Sequence, residues 1–279
     1  MSDAVAILGV LGVGLLPWDT PVLFADDEGV TRGDGCFEGI RVIAGSAAKL
    51  DRHLDRMGRS ATALGLPFDP APWRALVAEA CAAWPSSVEG ALKLMLTRGR
   101  SGTPTGVLTL VPASAAFPAQ RRDGISVITL GRGSASDAFA GAPWLLGGVK
   151  TLSYAVNMAA YRHAARSGAD DVIFVSSDGF TLEAPTSSVV WWDGAGLSTV
   201  PAGSNGILAG TTQDLLFERV SAAGWRTSCA PLPAQSLASV EALWLVSSVR
   251  GPVEVAVLDG APRETRPDLT REIQHLAGF

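Results

Sequence analysis

Of the 22 lysines and arginines in this chain only Lys49, Lys93 and Lys150 are lysines. Lys150 lies in "WLLGGVKTLSYAVNMAAYRHAARSGADD", residues 144–171, between an apolar run and an alanine-rich segment. An amine does covalent chemistry when it is neutral and held: apolar surroundings lower its pKa, and the free amine condenses with an aldehyde to give an imine. The same residue also reads as a solvated lysine at a strand end, its stem laid along apolar surface. Companions decide between the two.

Glu183 in "GFTLEAPTSS" is a carboxylate among apolar and small residues, on an expected strand that follows a hairpin. A buried acid persists when a cation pairs it, and no adjacent Arg or Lys does so. A pyridinium nitrogen would serve; the other reading is a glutamate facing solvent on an edge strand. In "LAGTTQDLL" a glycine and two hydroxyl residues open a helix, where backbone N–H groups and the helix dipole suit a phosphate and Thr211 and Thr212 add donors. Ordinary N-capping by either threonine accounts for the same residues. Arg56 recurs with Arg52 and Arg59 at helical spacing, and its guanidinium can grip a phosphate with two parallel hydrogen bonds. Three arginines on one helix also read as its wet face.

These groups need a scaffold, and the period of the apolar residues supplies one. Residues 4–16, "AVAILGVLGVGLL", lack the basic region and cleavage site of a signal peptide and read as buried strands. Their glycines imitate a dinucleotide-binding turn, but "PWDTP" stands where its helix should open. "VLFADDEG", "TRGDG" and "CFEGIRVIAG" then read as strand, loop and strand. Leu50, Leu54, Met57, Ala61 and Leu64 repeat at helical spacing up to Gly65 and Pro67. "APWRALVAEACAAW" is a second helix, and "GALKLMLTRG" and "GVLTLVPA" are strands. The Pro-, Ala- and Arg-rich stretch from Ala113 to Asp123 is the linker candidate, which gives an α+β lobe over residues 1–114, a linker over 115–123 and a second lobe over 124–279.

In the second lobe "GISVITL" reads as a strand, Tyr154 to Ser167 as a helix stopped by Gly168, and Val172, Phe174 and the Ser177–Gly179 turn as a hairpin. A helix follows from Thr211 or Thr212 to Gly224. "EALWLVSS" and "VEVAVLDG" are strands, and a short helix ends the chain. With 47% apolar and 18% charged residues the chain is of globular type, and its net charge of −5 gives no basic face for nucleic acid. Three cysteines (Cys36, Cys81, Cys229) and three histidines without ligand spacing favour neither disulfides nor a metal site, and a reducing cytoplasm fits.

Taken in order, "GDGCFEGIRV", "HLDRMGRSA", "LKLMLTRG", "KTLSYAVNMAA", "GADDVIFVSSDGFTLEAPTSSVV", "GILAGTTQDLL" and "LVSSVRGPVEV" resemble the class IV aminotransferase family. These are fold-type IV enzymes that use pyridoxal 5′-phosphate, and they include branched-chain and D-amino-acid aminotransferases and aminodeoxychorismate lyase. The resemblance implies a two-lobed α/β fold, with a small N-terminal lobe and a larger C-terminal lobe built on a mixed sheet or barrel. It implies Lys150 as the Schiff-base lysine and as the catalytic base. Glu183 falls at the partner of the cofactor's ring nitrogen, Arg56, Thr211, Thr212 and Ser248 at phosphate binders, and Tyr154 at a partner of its phenolic oxygen. Phe37, Lys93 and Val249 fall at substrate-facing positions, although Lys93 reads equally as an outward-facing strand residue, and a homodimer acting on a small amine is implied.

The family's usual residues beside the glutamate are replaced by Ala184, Pro185 and Ser188, and Gln213 stands where an arginine often follows the threonine pair. The loop "GRSGTPTG" lacks the Arg and His pair by which D-amino-acid aminotransferases hold a carboxylate. The "LK" pair at Lys93 resembles the lyases, and "FEGIR" the branched-chain enzymes. Conversion of aminodeoxychorismate to 4-aminobenzoate and pyruvate is the leading expectation, followed by a transaminase for D-amino or branched-chain amino acids, and then by a non-catalytic cofactor-binding protein.

Overall fold

The computed structural model describes residues 6–279, so Ala4 and Val5 of the apolar N-terminal run lie outside the described residues. Two units are distinguished: residues up to Ser114 with Val149–Tyr154, and Ala115–Gly148 with Ala155–Phe279.

The first unit runs β1 (Ile7–Val10), β2 (Gly14–Leu16), α1 (Glu28–Thr31), β3 (Gly35–Ile43), β4 (Ser46–Ala47), α2 (Leu50–Ala63), α3 (Pro70–Ala83), β5 (Gly90–Arg100) and β6 (Thr103–Pro112). Its strands form one antiparallel sheet in the order β2-β1-β6-β5-β3-β4. Side chains alternate across a strand, so Cys36, Ile40 and Val42 of β3 share a face with Leu92, Leu94 and Leu96 of β5 and with Leu108 and Leu110 of β6. That face packs on Leu54, Met57 and Ala61 of α2 and on Trp73 and Val77 of α3. Each fully buried apolar side chain of this size contributes about 1.5–3 kcal/mol. Phe37, Gly39, Lys93 and Met95 lie on the opposite face, which is more open.

The N-terminal run is a half-buried hairpin of β1 and β2, less enclosed than buried strands would be. "VLFADDEG" is not a strand. The Asp27 carboxylate accepts the Gly29 N–H at 2.7 Å and the Thr97 hydroxyl at 2.8 Å, which folds the stretch into a turn and the single turn of α1.

The second unit runs α4 (Phe117–Asp123), β7 (Ile125–Gly131), α5 (Ala155–Arg166), β8 (Asp171–Val175), β9 (Ser188–Trp192), β10 (Gly196–Thr199), α6 (Thr211–Ala222), β11 (Arg226–Cys229), β12 (Ala242–Ser247), β13 (Gly251–Leu258), β14 (Ala261–Pro262) and α7 (Pro267–Ala277). Its mixed sheet follows β11-β10-β9-β12-β13-β7-β8, with β14 beside β13. The pairs β10–β11, β13–β7 and β7–β8 are parallel. Leu216 and Val220 of α6 and Ile273 of α7 pack with Val190, Leu197 and Trp244 in one core cluster, while Val127, Ile173, Leu245 and Val255 anchor another.

Residues 115–123, read from composition as a linker, contain α4 and group with the second unit. Pro118 in its first turn and Arg121 and Arg122 in its last suit a helix, and Gly124 ends it at φ +79°. The segment around Lys150 groups instead with the first unit.

Gly99, at the β5–β6 turn, has φ +72°, and a Cβ there would run into the Thr103 carbonyl oxygen. Gly99→Ala is expected to cost at least about 2 kcal/mol of stability. A urea midpoint equal to that of the wild type would show that the turn relaxes freely.

Candidate active site

Lys150 is fixed through its main chain. The Phe37 N–H donates to the Lys150 carbonyl at 3.0 Å, the Leu152 N–H donates to the Gly35 carbonyl at 2.9 Å, and Thr151 bridges antiparallel to Cys36. The Lys150 N–H meets the Ser60 hydroxyl of α2 at 3.3 Å. Residues 150–152 thus extend the sheet along the start of β3. The half-buried Lys150 side chain places Nζ 4.5 Å from the centroid of the Phe37 ring and 5.5 Å from that of Tyr154. Lys93 Nζ, from β5, lies 5.3 Å from the same Phe37 ring. The rings of Phe37 and Tyr154 meet edge to face at 5.1 Å. Three residues singled out in the sequence, Lys93, Lys150 and Tyr154, therefore surround the Phe37 ring, the two amines at the distances of cation–π contacts.

Arg56 is not on a wet helix face. It is 5% exposed, whereas Arg59 is exposed and Arg52 half-buried. Its Nε donates to Glu38 Oε1 at 2.7 Å and its Nη2 to Glu38 Oε2 at 2.7 Å, so the fork is bidentate. His53 Nδ1 lies 2.7 Å from Glu38 Oε2; an ionised carboxylate only accepts, so this nitrogen carries the hydrogen. Burial alone would raise the Glu38 pKa, but the hydrogen bonds and charges of Arg56 and His53 outweigh it and bring it to about 2. Burial lowers the pKa of His53 in spite of the carboxylate beside it. Removing one member of a buried ion pair costs about 3–5 kcal/mol. Glu38 is not picked out by the sequence, and His53 enters there only as the histidine three residues before Arg56 in "HLDRMGRSA". The available signal was an acid at the buried phase of β3, between Cys36 and Ile40, facing a His and an Arg three residues apart on α2.

In the second unit Glu183 lies on an irregular arm and not on a strand. Phe174 and Leu182 exchange backbone bonds with this arm, the Phe174 N–H donating to the Glu183 carbonyl at 2.9 Å and the Leu182 N–H to the Phe174 carbonyl at 2.8 Å. The half-buried Glu183 carboxylate accepts the Leu208 N–H at 3.0 Å. The residues after it are tied down one by one: Asn157 Nδ2 donates to the Pro185 carbonyl at 2.6 Å, Tyr161 shares a 2.6 Å hydrogen bond with Thr186, and Arg250 reaches the Ser187 hydroxyl at 3.2 Å.

Thr211 and Thr212 begin α6, but neither caps it. The cap position is Gly210, with no side-chain cap bond, and a Cβ there would strike the Ser188 hydroxyl. Both buried threonine hydroxyls lie 3.1 Å from the Ser248 hydroxyl, on the turn between β12 and β13. Three hydroxyls at a helix start form a donor set suited to a phosphate monoester. Val249 is half-buried on the same turn. Arg250, also missed in the sequence, is buried and donates to Asp171 Oδ2 at 2.5 Å. Burial raises the Asp171 pKa against the pull of Arg250.

Around Lys150 the first unit gathers an amine, a second cation and an aromatic ring; the second unit holds an acid accepting one backbone N–H and the hydroxyl cluster. Taken unit by unit, the amine suits an aldehyde, the acid a basic ring nitrogen and the hydroxyls a phosphate. Among the described residues no group of three His, Cys, Asp or Glu side chains is placed to hold a metal ion, and no helix is long and apolar enough to cross a membrane.

The model of one protein family, amino-transferase class IV, matches residues 35–258. A bifunctional aminodeoxychorismate lyase / D-amino acid transaminase of Mycobacterium tuberculosis is 44% identical over 251 residues, which cover 86% of this chain and 87% of the relative. A hypothetical aminotransferase from the same organism has been solved in a PLP-bound form and in a form with alpha-ketoglutarate and PMP; each matches with a TM-score of 0.93 at 41% identity, over 97% of this chain and 98% of that one. A fold IV transaminase from Curtobacterium pusillum matches with a TM-score of 0.91 at 40% identity, over 98% of this chain and 99% of that one.

The two shifted groups act on stability with one sign. His53 is held neutral and Glu38 ionised in the fold, so each binds fewer protons folded than unfolded, and stability falls as the unfolded chain takes protons up. The loss begins below 6.5 for His53 and runs from 4.5 to about 2 for Glu38. The stability difference between the wild type and His53→Gln should therefore shrink on acidification below 6.5, by at most about 1.4 kcal/mol per pH unit. Urea midpoints of both proteins across that range test it; a constant difference refutes it.

Proposed function

Because the chain belongs to the class IV aminotransferase family, enzymes that use pyridoxal 5′-phosphate, we propose that it is an aminodeoxychorismate lyase, yielding 4-aminobenzoate and pyruvate. The observation that carries this reading is the placing of Lys93 and Lys150 about the Phe37 ring. Aminodeoxychorismate brings one amine and two carboxylates. An amine-reactive lysine with a second, exposed cation beside it suits such a molecule better than one with a single charge to place.

When bound, the cofactor supplies an aldehyde that condenses with amines and a ring that takes up electrons from the carbon next to that amine. Lys150 Nζ is the amine that would hold it, and as a free amine it would serve as the base that removes the proton from the carbon bearing the substrate nitrogen. Glu183 keeps a negative charge at the ring nitrogen and so holds a proton there, and the Leu208 N–H orients its carboxylate. Arg56, the hydroxyls of Thr211, Thr212 and Ser248 and the start of α6 hold the phosphate, which keeps the reacting atoms aligned. Phe37 and Val249 bound the substrate, Lys93 takes a carboxylate, and Tyr154 donates to the phenolic oxygen. In the substrate, loss of that proton and breakage of the ether bond aromatise the ring, and the departing enolate takes up a proton on its methylene carbon to become pyruvate.

A second reading, amino-group transfer from D-amino acids to a keto acid, is favoured by the 44% identical relative, whose name joins both activities. The transfer would use the same lysine as the base, with the proton handed back and no group leaving the substrate. Wild type and Lys150→Ala, incubated with aminodeoxychorismate and with a panel of D- and L-amino acids plus a keto acid, decide between them. We expect 4-aminobenzoate from the wild type, no activity of either kind from the variant, and a borohydride-fixed label on Lys150. Keto acid products without 4-aminobenzoate would transfer the assignment to the second reading, and a label on another residue would end both.

The same reading includes a homodimer. Supporting it are large apolar side chains left exposed, Trp18 and Phe24 in the first unit and Trp144, Val156 and Met158 in the second. Sedimentation velocity should give twice the mass of the 28.8 kDa chain, and a single-chain mass at micromolar concentration would oppose it.

A further inference from the structure

We propose that Glu38 is a positioning residue for the cofactor's phosphate: it sets the plane and direction of the Arg56 guanidinium while touching no reacting atom. This rests on the reading that Arg56 grips the phosphate.

A guanidinium on a long flexible stem reaches many positions, and something must choose one. Glu38 takes the edge formed by Nε and Nη2, both at 2.7 Å. Two parallel bonds fix the plane of a rigid fork, so the edge that carries Nη1 is directed the other way. The carboxylate is itself held. Its backbone is paired opposite Leu94 in the middle of the β3–β5 ladder, its side chain is fully buried, and Cys36 and Ile40 on the same face are also fully buried. His53, one turn before Arg56 on α2, occupies Oε2 at 2.7 Å as well, and this second donor keeps the carboxylate from rotating.

Stability alone does not explain such a cluster. An ion pair removed from water gains little over a well-packed apolar pair of the same volume, so buried charge is weak evidence for a purely structural role. What the cluster provides is orientation. Its strand neighbour Phe37 stands on the opposite face with Lys150 over its ring. One strand therefore indexes the amine and, through Glu38, the arginine.

The test compares two ligands that differ only by the phosphate. The cofactor-free full-length protein is titrated with pyridoxal 5′-phosphate and with pyridoxal, following tryptophan fluorescence, for the wild type, Arg56→Gln, Glu38→Gln, Glu38→Asp and Arg56→Gln/Glu38→Asp. Glu38→Gln should weaken pyridoxal phosphate about tenfold or more, the size of loss seen when the partner that orients a ligating side chain is removed, and leave pyridoxal nearly unchanged. Glu38→Asp keeps the charge but draws it back by one methylene, and should show the same phosphate-selective loss even if Glu38→Gln does not fold. In the Arg56→Gln background Glu38→Asp should change the ratio of the two affinities no further. Folded Glu38 variants with the wild-type ratio, beside a reduced ratio in Arg56→Gln, would overturn the positioning role and leave the arginine grip intact. Equal weakening of both ligands would overturn it in favour of a structural role. An unchanged ratio in Arg56→Gln would remove the underlying reading, and this proposal with it.

Discussion

The two-residue repeat of β3 is the constraint on which the first unit's chemistry depends. Phe37 and Glu38 are neighbours in the chain, yet the pleat turns one toward the open face and the other into the core. The ring thereby meets the amines of Lys150 and Lys93, and the acid meets Arg56 and His53. A slip of one residue would exchange them and bury the ring where the charge belongs. The register is held on one side by the ladder from Gly35 opposite Thr97 to Val42 opposite Gly90, and on the other by the bonds to residues 150–152.

The second unit reaches comparable order by another route. Glu183 and the residues after it lie outside the named strands, and side chains from α5 and from the turn after β12 help to hold them. Arg250 links two segments, since it binds Asp171 at the start of β8 and Ser187 at the end of the arm. Because Arg250 lies two residues after Ser248, the buried pair fixes the turn that carries the hydroxyl facing Thr211 and Thr212. Charge taken out of water is a costly tether, and it is found here where a loop must be as firm as a strand.

Much of this was legible in the sequence where a single period runs long enough. The alternation in "GALKLMLTRG" and the spacing of Leu50, Leu54, Met57 and Ala61 gave β5 and α2 within a residue or two, because burial of one face decides both. The lysine, the glutamate and the threonine pair were legible as chemical types, and their order along the chain suggested the family. Three features were not legible. Asp27 captures its own backbone and a distant threonine, which overrides the strand-like composition of "VLFADDEG". Gly210 takes the helix cap because a side chain there would meet Ser188, a contact between segments far apart in sequence. Glu38 and Arg250 are charges whose partners lie on other elements, and no local pattern announces a partner 18 or 79 residues away.

The near-absence of lysine has a practical side. Guanidinium groups stay protonated under conditions in which amines acylate or undergo reductive alkylation. The chain offers such reagents only three side-chain amines, and two of them lie within 5.3 Å of the same ring centroid. Lys49, the third, sits in left-handed conformation just ahead of α2. Ordinary amine modification, indiscriminate on most proteins, is therefore close to a site-directed probe on this one.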